Sequence, residues 1–288
     1  MAPGNSVKIR SMEKSDVPEA FALAHSEGWN QTESDWLFML NNPENKCLVA
    51  EADNKVAGTA IATVYSDNLA WIGMVLVNKD YRSMGIGRKL MNEIISRLRK
   101  VKCIKLDATP AGKPLYESLG FIDEYILIRM IADPAKRLKT PVTFPDISEI
   151  TAESLQNIIN ADFEIFGALR PGLISYLYNN VPERSFLLSD KKSLHGYFLG
   201  RQGTRFNYLG PLCAENSEYA EALLSHALSK LEGSTTVADV HADKAAFISS
   251  LDKAGFVKQR ELTRMYLNHN LIHGKTDQQY LISGPEFG

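Results

Sequence analysis

The segment Trp71–Leu90 restricts the possible fold more than any other stretch of the chain. An apolar, β-branched run, Trp71–Val77, reads as a buried strand. It is followed by Arg82-Ser83-Met84-Gly85-Ile86-Gly87-Arg88 and then by a helix predicted over Gly85–Lys100. Leu90, Met91, Ile94, Ile95 and Leu98 recur at helical spacing and give that helix one apolar stripe. Glycines at 85 and 87 let the backbone turn tightly and let a ligand approach closely. The first N–H groups of a helix have no partner inside it and bind phosphate or pyrophosphate readily. Lys79, Arg82, Arg88 and Lys89 face only Asp80 between residues 79 and 89, a local net charge of +3. A strand, a basic glycine-rich turn and an amphipathic helix therefore form a candidate phosphate cradle. It is neither of the two commonest ones. The Gly-x-x-x-x-Gly-Lys-Ser/Thr loop is absent, and Leu90 stands where a dinucleotide fingerprint has its third glycine.

The flanking elements predict a mixed α/β sheet. A strand at Val7–Arg10 precedes helices over Asp16–His25 and Glu33–Leu40. Three strands follow in succession, Lys46–Glu51, Val56–Tyr65 and Leu69–Val77, with Asp53-Asn54 and Asp67-Asn68 as hairpin turns. After the long helix come a strand at Cys103–Leu106, a helix at Lys113–Leu119 and a strand at Tyr125–Ile131. Three consecutive strands exclude pure βα repetition, so helices are expected on both faces of a mixed sheet.

Asp133–Ser148 carries three prolines and no period, and reads as a linker. The element order then returns. Helices are predicted at Thr151–Phe163 and Leu173–Tyr178, and strands at Ser185–Ser189, Leu194–Gly200 and Phe206–Leu209. A helix at Glu218–Leu231, a strand at Thr236–Val240, a helix at Lys244–Ala254 and a strand at Glu261–Leu267 complete the second half. Both halves end on a helix, a Gly-Phe pair and a strand containing Arg-Met, at Arg129-Met130 and Arg264-Met265. This reads as an internal duplication, with domains over 1–135 and 136–288.

Composition sets outer limits. Lys and Arg total 32 against 34 Asp and Glu, a net charge of −2, so there is no global electrostatic case for nucleic-acid binding. Cys47, Cys103 and Cys213 lie far apart without metal-ligand spacing and read as buried apolar residues; no metal is expected. The start of the chain has no signal-like apolar region, and no apolar run reaches the ~20 residues a membrane span needs. A cytoplasmic protein without membrane partners is expected.

Val77–Arg88 resembles the acyl-CoA-binding motif of the GCN5-related N-acetyltransferase (GNAT) family, with Arg82, Gly85, Gly87 and Arg88 at its defining positions. The element order of residues 7–131 is also similar. Gly28-Trp29-Asn30, Leu106–Pro110 and Gly210-Pro211-Leu212 suggest a two-domain, YitH-like subgroup whose second acetyltransferase-like domain is degenerate. The resemblance implies the GNAT fold twice in tandem and acetyl-CoA as cofactor. It implies that Arg82, Ser83, Met84, Gly85, Ile86, Gly87 and Arg88 hold the CoA pyrophosphate. It implies that Met74, Val75, Leu76 and Val77 bond the pantetheine arm where their strand splays from its neighbour. The activity implied is acetyl transfer to a primary amine of a small molecule, without a covalent enzyme intermediate.

Such a transfer needs a base for the amine and an acid for the departing thiolate. In the resembled family the tyrosine of the helix holding Tyr116 approaches the CoA sulfur, so Tyr116 is the candidate acid. Family members often use a glutamate on the fourth strand as base, but Leu69–Val77 holds no carboxylate. His25, Glu27 and Asp67 are the alternatives, directly or through water. Trp29 is either structural or a pocket wall. Asp107 either faces the cleft or caps the next helix. In the second half the phosphate turn is missing, Glu215 and Glu218 bring negative charge there, and Phe247 stands where Tyr116 stands in the first. That half is expected to wall the acceptor cleft, with Tyr197, Arg201, Arg205, Tyr208 and Asp239 as the region concerned. A silent acyl-CoA sensor and a protein-lysine acetyltransferase are the competing functions. A monomer is expected, since the second domain can supply internally an interface that single-domain relatives make by dimerising.

Overall fold

The computed structural model describes residues 7–66, 68–136, 138, 147–190, 193–231 and 233–288. Asp67 and most of the expected linker, residues 139–146, lie outside them. The first half runs β1 (Lys8–Ser11), α1 (Val17–Ser26), α2 (Glu33–Asn41), β2 (Lys46–Ala52), β3 (Lys55–Ser66), β4 (Leu69–Val77), α3 (Ile86–Arg97), β5 (Cys103–Ala108), α4 (Lys113–Glu117) and β6 (Ile122–Ala132). The second runs β7 (Ile147–Glu149), α5 (Leu155–Phe166), α6 (Pro171–Asn180), β8 (Phe186–Ser189), β9 (Leu194–Gln202), β10 (Asn207–Ala214), α7 (Ser217–Ser229), β11 (Thr236–His241), α8 (Ala245–Lys253), β12 (Val257–Asn268) and β13 (Gln279–Leu281).

All thirteen strands belong to one sheet, ordered β1-β2-β3-β4-β5-β12-β6-β11-β13-β10-β9-β8-β7. The last long strands of the two halves have changed places. β12 inserts between β5 and β6 and pairs antiparallel with both, while β6 pairs antiparallel with β11. The duplication is thus visible in element order, yet the hydrogen-bonded sheet runs without a break past residue 135.

The exchange is anchored by the repeated Arg-Met motif. Arg129 of β6 lies opposite Asp239 of β11 and donates to both its carboxylate oxygens, at 2.8 and 2.6 Å. Arg264 of β12 lies opposite Asp107 of β5 and does the same at 2.8 and 2.9 Å. Each half's arginine therefore takes the other half's aspartate. Arg264 also donates to the Tyr125 hydroxyl at 2.6 Å and lies over the Trp71 ring, 4.4 Å from its centroid. The Asp107 carboxylate is consumed in this way and does not cap the following helix.

Helices cover both faces, as a mixed sheet requires. On one, α1, α2, α5 and α6 share a single apolar cluster holding Leu23, Trp36, Met39, Ile158, Ile174 and Leu177. On the other, α3 packs Ile86, Leu90, Met91 and Ile94 on the first half, and α7 packs Leu223, Leu224 and Leu228 on the second. All three cysteines are free and buried. Among the described residues no cluster of His, Cys, Asp or Glu could hold a metal, and no helix is long and apolar enough to cross a membrane.

Several strands run past the pattern-based expectation, β6 from Ile122 and β12 from Val257 among them, and two short strands were not expected. β10 continues through Gly210-Pro211 to Ala214, because its pairing with β9 shifts register between Leu209 and Leu212, and a bulge tolerates a residue without an N–H. β7 and β13, three residues each, are too short to leave a period.

Because each half is completed by the other's strand, Asp239→Ala should destabilise the whole chain by about 3–5 kcal/mol, the usual cost of stranding one partner of a buried pair. Denaturation followed by fluorescence and by circular dichroism should give one coincident transition in both proteins.

Candidate functional site

The site begins where β4 leaves β5. Their parallel pairing runs from Leu69↔Cys103 to Ile72↔Leu106 and stops, so Gly73–Val77 present an unpaired edge on the β5 side. Met74 has φ +54°, and the β3–β4 register shifts there, a bulge that opens the gap. The Thr59 hydroxyl donates to the Met74 carbonyl at 2.7 Å and holds the bulge from the other side. Met74, Val75, Leu76 and Val77, predicted to bond a pantetheine arm, thus lie on the part of β4 that has no β5 partner, where the Val77 carbonyl accepts from Arg82 Nε at 3.2 Å.

Beyond β4 the chain turns into α3. Gly85 is the N-cap residue at φ +74°, a left-handed conformation costly for a residue with a Cβ. Lys89 makes the first bond back, to the Gly85 carbonyl at 3.0 Å, which leaves the preceding N–H groups of the helix start aimed outward. Arg82, Ser83, Met84 and Arg88 are exposed around this end, and Ile86 is buried beneath it. No acidic side chain occupies the first turn of α3. Outward N–H groups, a positive rim and an open strand edge fit a diphosphate joined to an extended amide-bearing arm.

Between this edge and the second half lies a cavity of about 330 Å³. Glu27, Trp29, Met74, Asp107 and Tyr116 of the first half line it, with Arg201, Tyr208, Arg260 and Glu286 of the second. Trp29 therefore does face a pocket, and it also packs against the α1–α2 core. The loop after α1 is held by the second half: the Asn30 Oδ1 accepts from the Arg205 and Phe206 N–H groups at 3.0 Å each.

Tyr116 is half-buried beside Phe121, and its hydroxyl has no protein hydrogen-bond partner among the described residues. Burial pushes its phenol up to about 12, so it keeps its proton at neutral pH. Glu27 Oε1 lies 3.0 Å from Arg82 Nη2 and 3.5 Å from Lys79 Nζ, which ties the cavity wall to the phosphate turn. His25 is elsewhere: it is exposed, its ring is 6.0 Å from that of Phe21, and it does not line the cavity.

Of the second-half region expected at the cleft, Arg201 and Tyr208 line the cavity. Tyr197 is buried and donates to Asp162, and Asp239 is taken by Arg129 and Tyr208. Glu286, Arg260, Gln259 and Gln31 also line the cavity and were not foreseen. Residues 283–288 carry no periodicity, and only their tertiary placement reveals Glu286. Its backbone lies so close to β4 that a Cβ on Gly73 would fall 2.7 Å from the Glu286 Cα.

The second half's equivalent gap is filled. β10 and β11 pair in parallel only over Asn207–Leu209, and beyond that β13 bonds to both, through Leu212↔Leu281 and Val240↔Leu281. α7 begins with Glu218 in its first turn, and Phe247 is wholly buried.

A profile of the acetyltransferase (GNAT) family matches residues 10–121, and a GNAT domain profile matches residues 158–281. The holothin acyltransferase of a Pseudoalteromonas species is 24% identical over 260 residues, covering 90% of this chain and 86% of that protein. The ribosomal protein bS18-alanine N-acetyltransferase of Escherichia coli is 34% identical over 122 residues, 39% of this chain and 79% of that enzyme. A crystal structure from Pyrococcus horikoshii aligns over 100% of this chain and 99% of that one, with a TM-score of 0.82 at 22% identity.

The cofactor of this fold is acetyl-CoA, and Gly87 offers a direct test of where it sits. A Cβ on Gly87 would meet only Leu115 and Val77, at 3.5 and 3.8 Å, so a side chain there is tolerated by the fold. Gly87→Glu places a carboxylate against the phosphate cradle and should weaken CoA binding by about a hundredfold or more, since like-charge juxtaposition costs several kcal/mol. Calorimetry with CoA checks this, and the melting temperature should stay within a few degrees of the parent.

Proposed function

Because the chain belongs to the GNAT acetyltransferase family and is an acetyl-CoA-dependent acetyltransferase, we propose that it acetylates a primary amine of a small molecule held between its two halves. The observation that carries this reading is the cavity itself. At about 330 Å³ it is of small-ligand size, and residues of both halves line it as a partly open cleft. A protein substrate would need an open groove, whereas here the second half and residues 285–286 cover the β4 edge. The holothin acyltransferase, by its name, acylates holothin, and its likeness covers 90% of this chain. The bS18-alanine enzyme, by its name, modifies a protein; its likeness covers 39% of this chain.

In this reading Arg82–Arg88 and the N–H groups opening α3 hold the diphosphate, and the free edge at Met74–Val77 holds the pantetheine arm. Acetyl-CoA supplies the activated acetyl thioester. The amine attacks directly, since a neutral amine needs no covalent enzyme nucleophile. Tyr116, with an unengaged hydroxyl and a phenol that stays protonated, gives its proton to the departing sulfur. Glu27, which lines the cavity beside Arg82 and Lys79, accepts the amine proton. His25 has no part in it.

We further assign the single cofactor site to the first half, as in a two-domain, YitH-like enzyme with residues 1–135 catalytic and 136–288 degenerate. β13 occupying the second gap supports this, as does Glu218 at the start of α7.

Two measurements test the scheme. Tyr116→Phe should lower turnover by roughly 10²–10⁴-fold while acetyl-CoA affinity and melting temperature hold steady. A near-normal rate, with chemistry limiting, would remove Tyr116 from the role. A CoA titration should saturate at one equivalent per chain, and two equal sites would contradict the assignment to the first half.

A further inference from the structure

The cavity is electrically polarised by residues that the fold does not pair off. Arg260 of β12 lies directly opposite Arg129 of β6 in the antiparallel register, and Arg129 lies opposite Asp239. One lateral row of the sheet thus reads Asp239, Arg129, Arg260. Like charges directly opposite each other destabilise a sheet. Asp239 offsets the clash only in part, because both its oxygens are bonded by Arg129 and it makes no direct ion pair with Arg260. Among the described residues Arg260 has no carboxylate partner, and it lines the cavity next to Gln259, at the β12 bulge between Lys258 and Arg260. Desolvation and the neighbouring Arg129 push its guanidinium down from its ordinary value, and Asp239 pushes it up. The row therefore sums to one positive charge, carried by Arg260 at the solvent-open side of the cavity.

The balance is reversed where the cavity meets β4. Arg201 is shared by two buried carboxylates, Asp35 at 3.0 Å and Glu286 at 2.5 Å, one cation for two anions. Gln31 Nε2 donates to Glu286 at 2.9 Å, which leaves Gln31 Oε1 as a buried acceptor without a partner. Glu286 rests against Gly73, at the start of the open strand edge. Asp107 changes neither balance, being matched one to one with Arg264.

We propose that the acceptor is an amine that also bears a carboxylate, bound with its amine toward Glu286 and Gln31 at the β4 edge and its carboxylate on the guanidinium of Arg260. The orientation follows from the charges. The amine must reach the β4 edge for acetyl transfer, and that end is negative and holds the vacant acceptor. A planar carboxylate matches the guanidinium fork and supplies the anion that the Asp239–Arg129–Arg260 row lacks. This inference rests on the acetyltransfer reading of the same cavity, and it adds the substrate class.

The test uses the full chain with acetyl-CoA and the common amino acids, each matched with its carboxamide and its decarboxylated amine. Acetylation is followed by thiol release and mass spectrometry, and binding by thermal shift with CoA present, which needs no turnover. At least one carboxylate-bearing member should surpass its matched amine and amide by about tenfold to a hundredfold in kcat/KM, the range of a charge-assisted contact. Arg260→Gln should erase that preference through KM, with kcat and CoA affinity little changed. Arg260→Lys should restore part of it, which a purely structural defect would not allow. Matched amines or amides that serve equally well would overturn the proposal. So would an Arg260→Gln protein that keeps the preference, or the absence of stabilisation by any carboxylate-bearing member. Arg260-dependent stabilisation without acetylation of any member would leave the anion site standing and remove the acetyltransfer reading instead.

Discussion

Two reciprocal ion pairs, Arg129 with Asp239 and Arg264 with Asp107, hold this molecule together at its midline. Each joins a strand of one half to a strand of the other, and each is bidentate and buried. Burying such pairs costs desolvation that their attraction only partly offsets, so they are weak sources of net stability. Their value is in register. A one-residue slip of β12 between β5 and β6 would send every one of its side chains to the opposite face and strand two buried charges, Arg264 and Asp107. The exchange of β6 and β12 then follows as the arrangement in which Arg129 and Arg264 each find a carboxylate, while Arg260 is left without one among the described residues.

That exchange also makes the cavity. With β12 and β6 side by side at the centre, residues of both halves meet over the open edge of β4. Arg260 reaches the same space as Tyr116 only because β12 has crossed into the first half's sheet. The loop that carries Glu27 is held in turn through Asn30 by the hairpin between β9 and β10. Neither half alone would line this cavity or set its charge.

The two copies have diverged at one topological point. In the first, the gap between β4 and β5 is open and faces a helix that begins with a left-handed glycine and no acid. In the second, β13 lies in the corresponding gap and supplies strand bonds to both sides. A backbone edge unpaired on one side of the molecule is satisfied on the other by the chain itself. Backbone groups seldom stay buried without partners, and in the proposed scheme the cofactor arm supplies those partners at the open gap.

Much of the fold was legible in the residues because its signals are local. Periodicity marked β1–β6 and α1–α4, and Gly85 with Gly87 beside Arg82 and Arg88 marked the phosphate turn, since the left-handed φ and the clustered charge are properties of adjacent residues. The repeated Arg-Met disclosed the duplication. The destination of each arginine was not legible, because Asp107 and Asp239 are separated from their partners by more than a hundred residues and pairing leaves no trace in sequence order. Glu286, Gln31 and Arg260 were invisible for the same reason, and β13 was too short for a period to register. Sequence determined the elements, the basic glycine turn before α3 and the tandem repeat. Tertiary structure alone decided which strands change places, and with them the shape and charge of the cavity between the halves, because those depend on contacts between residues remote along the chain.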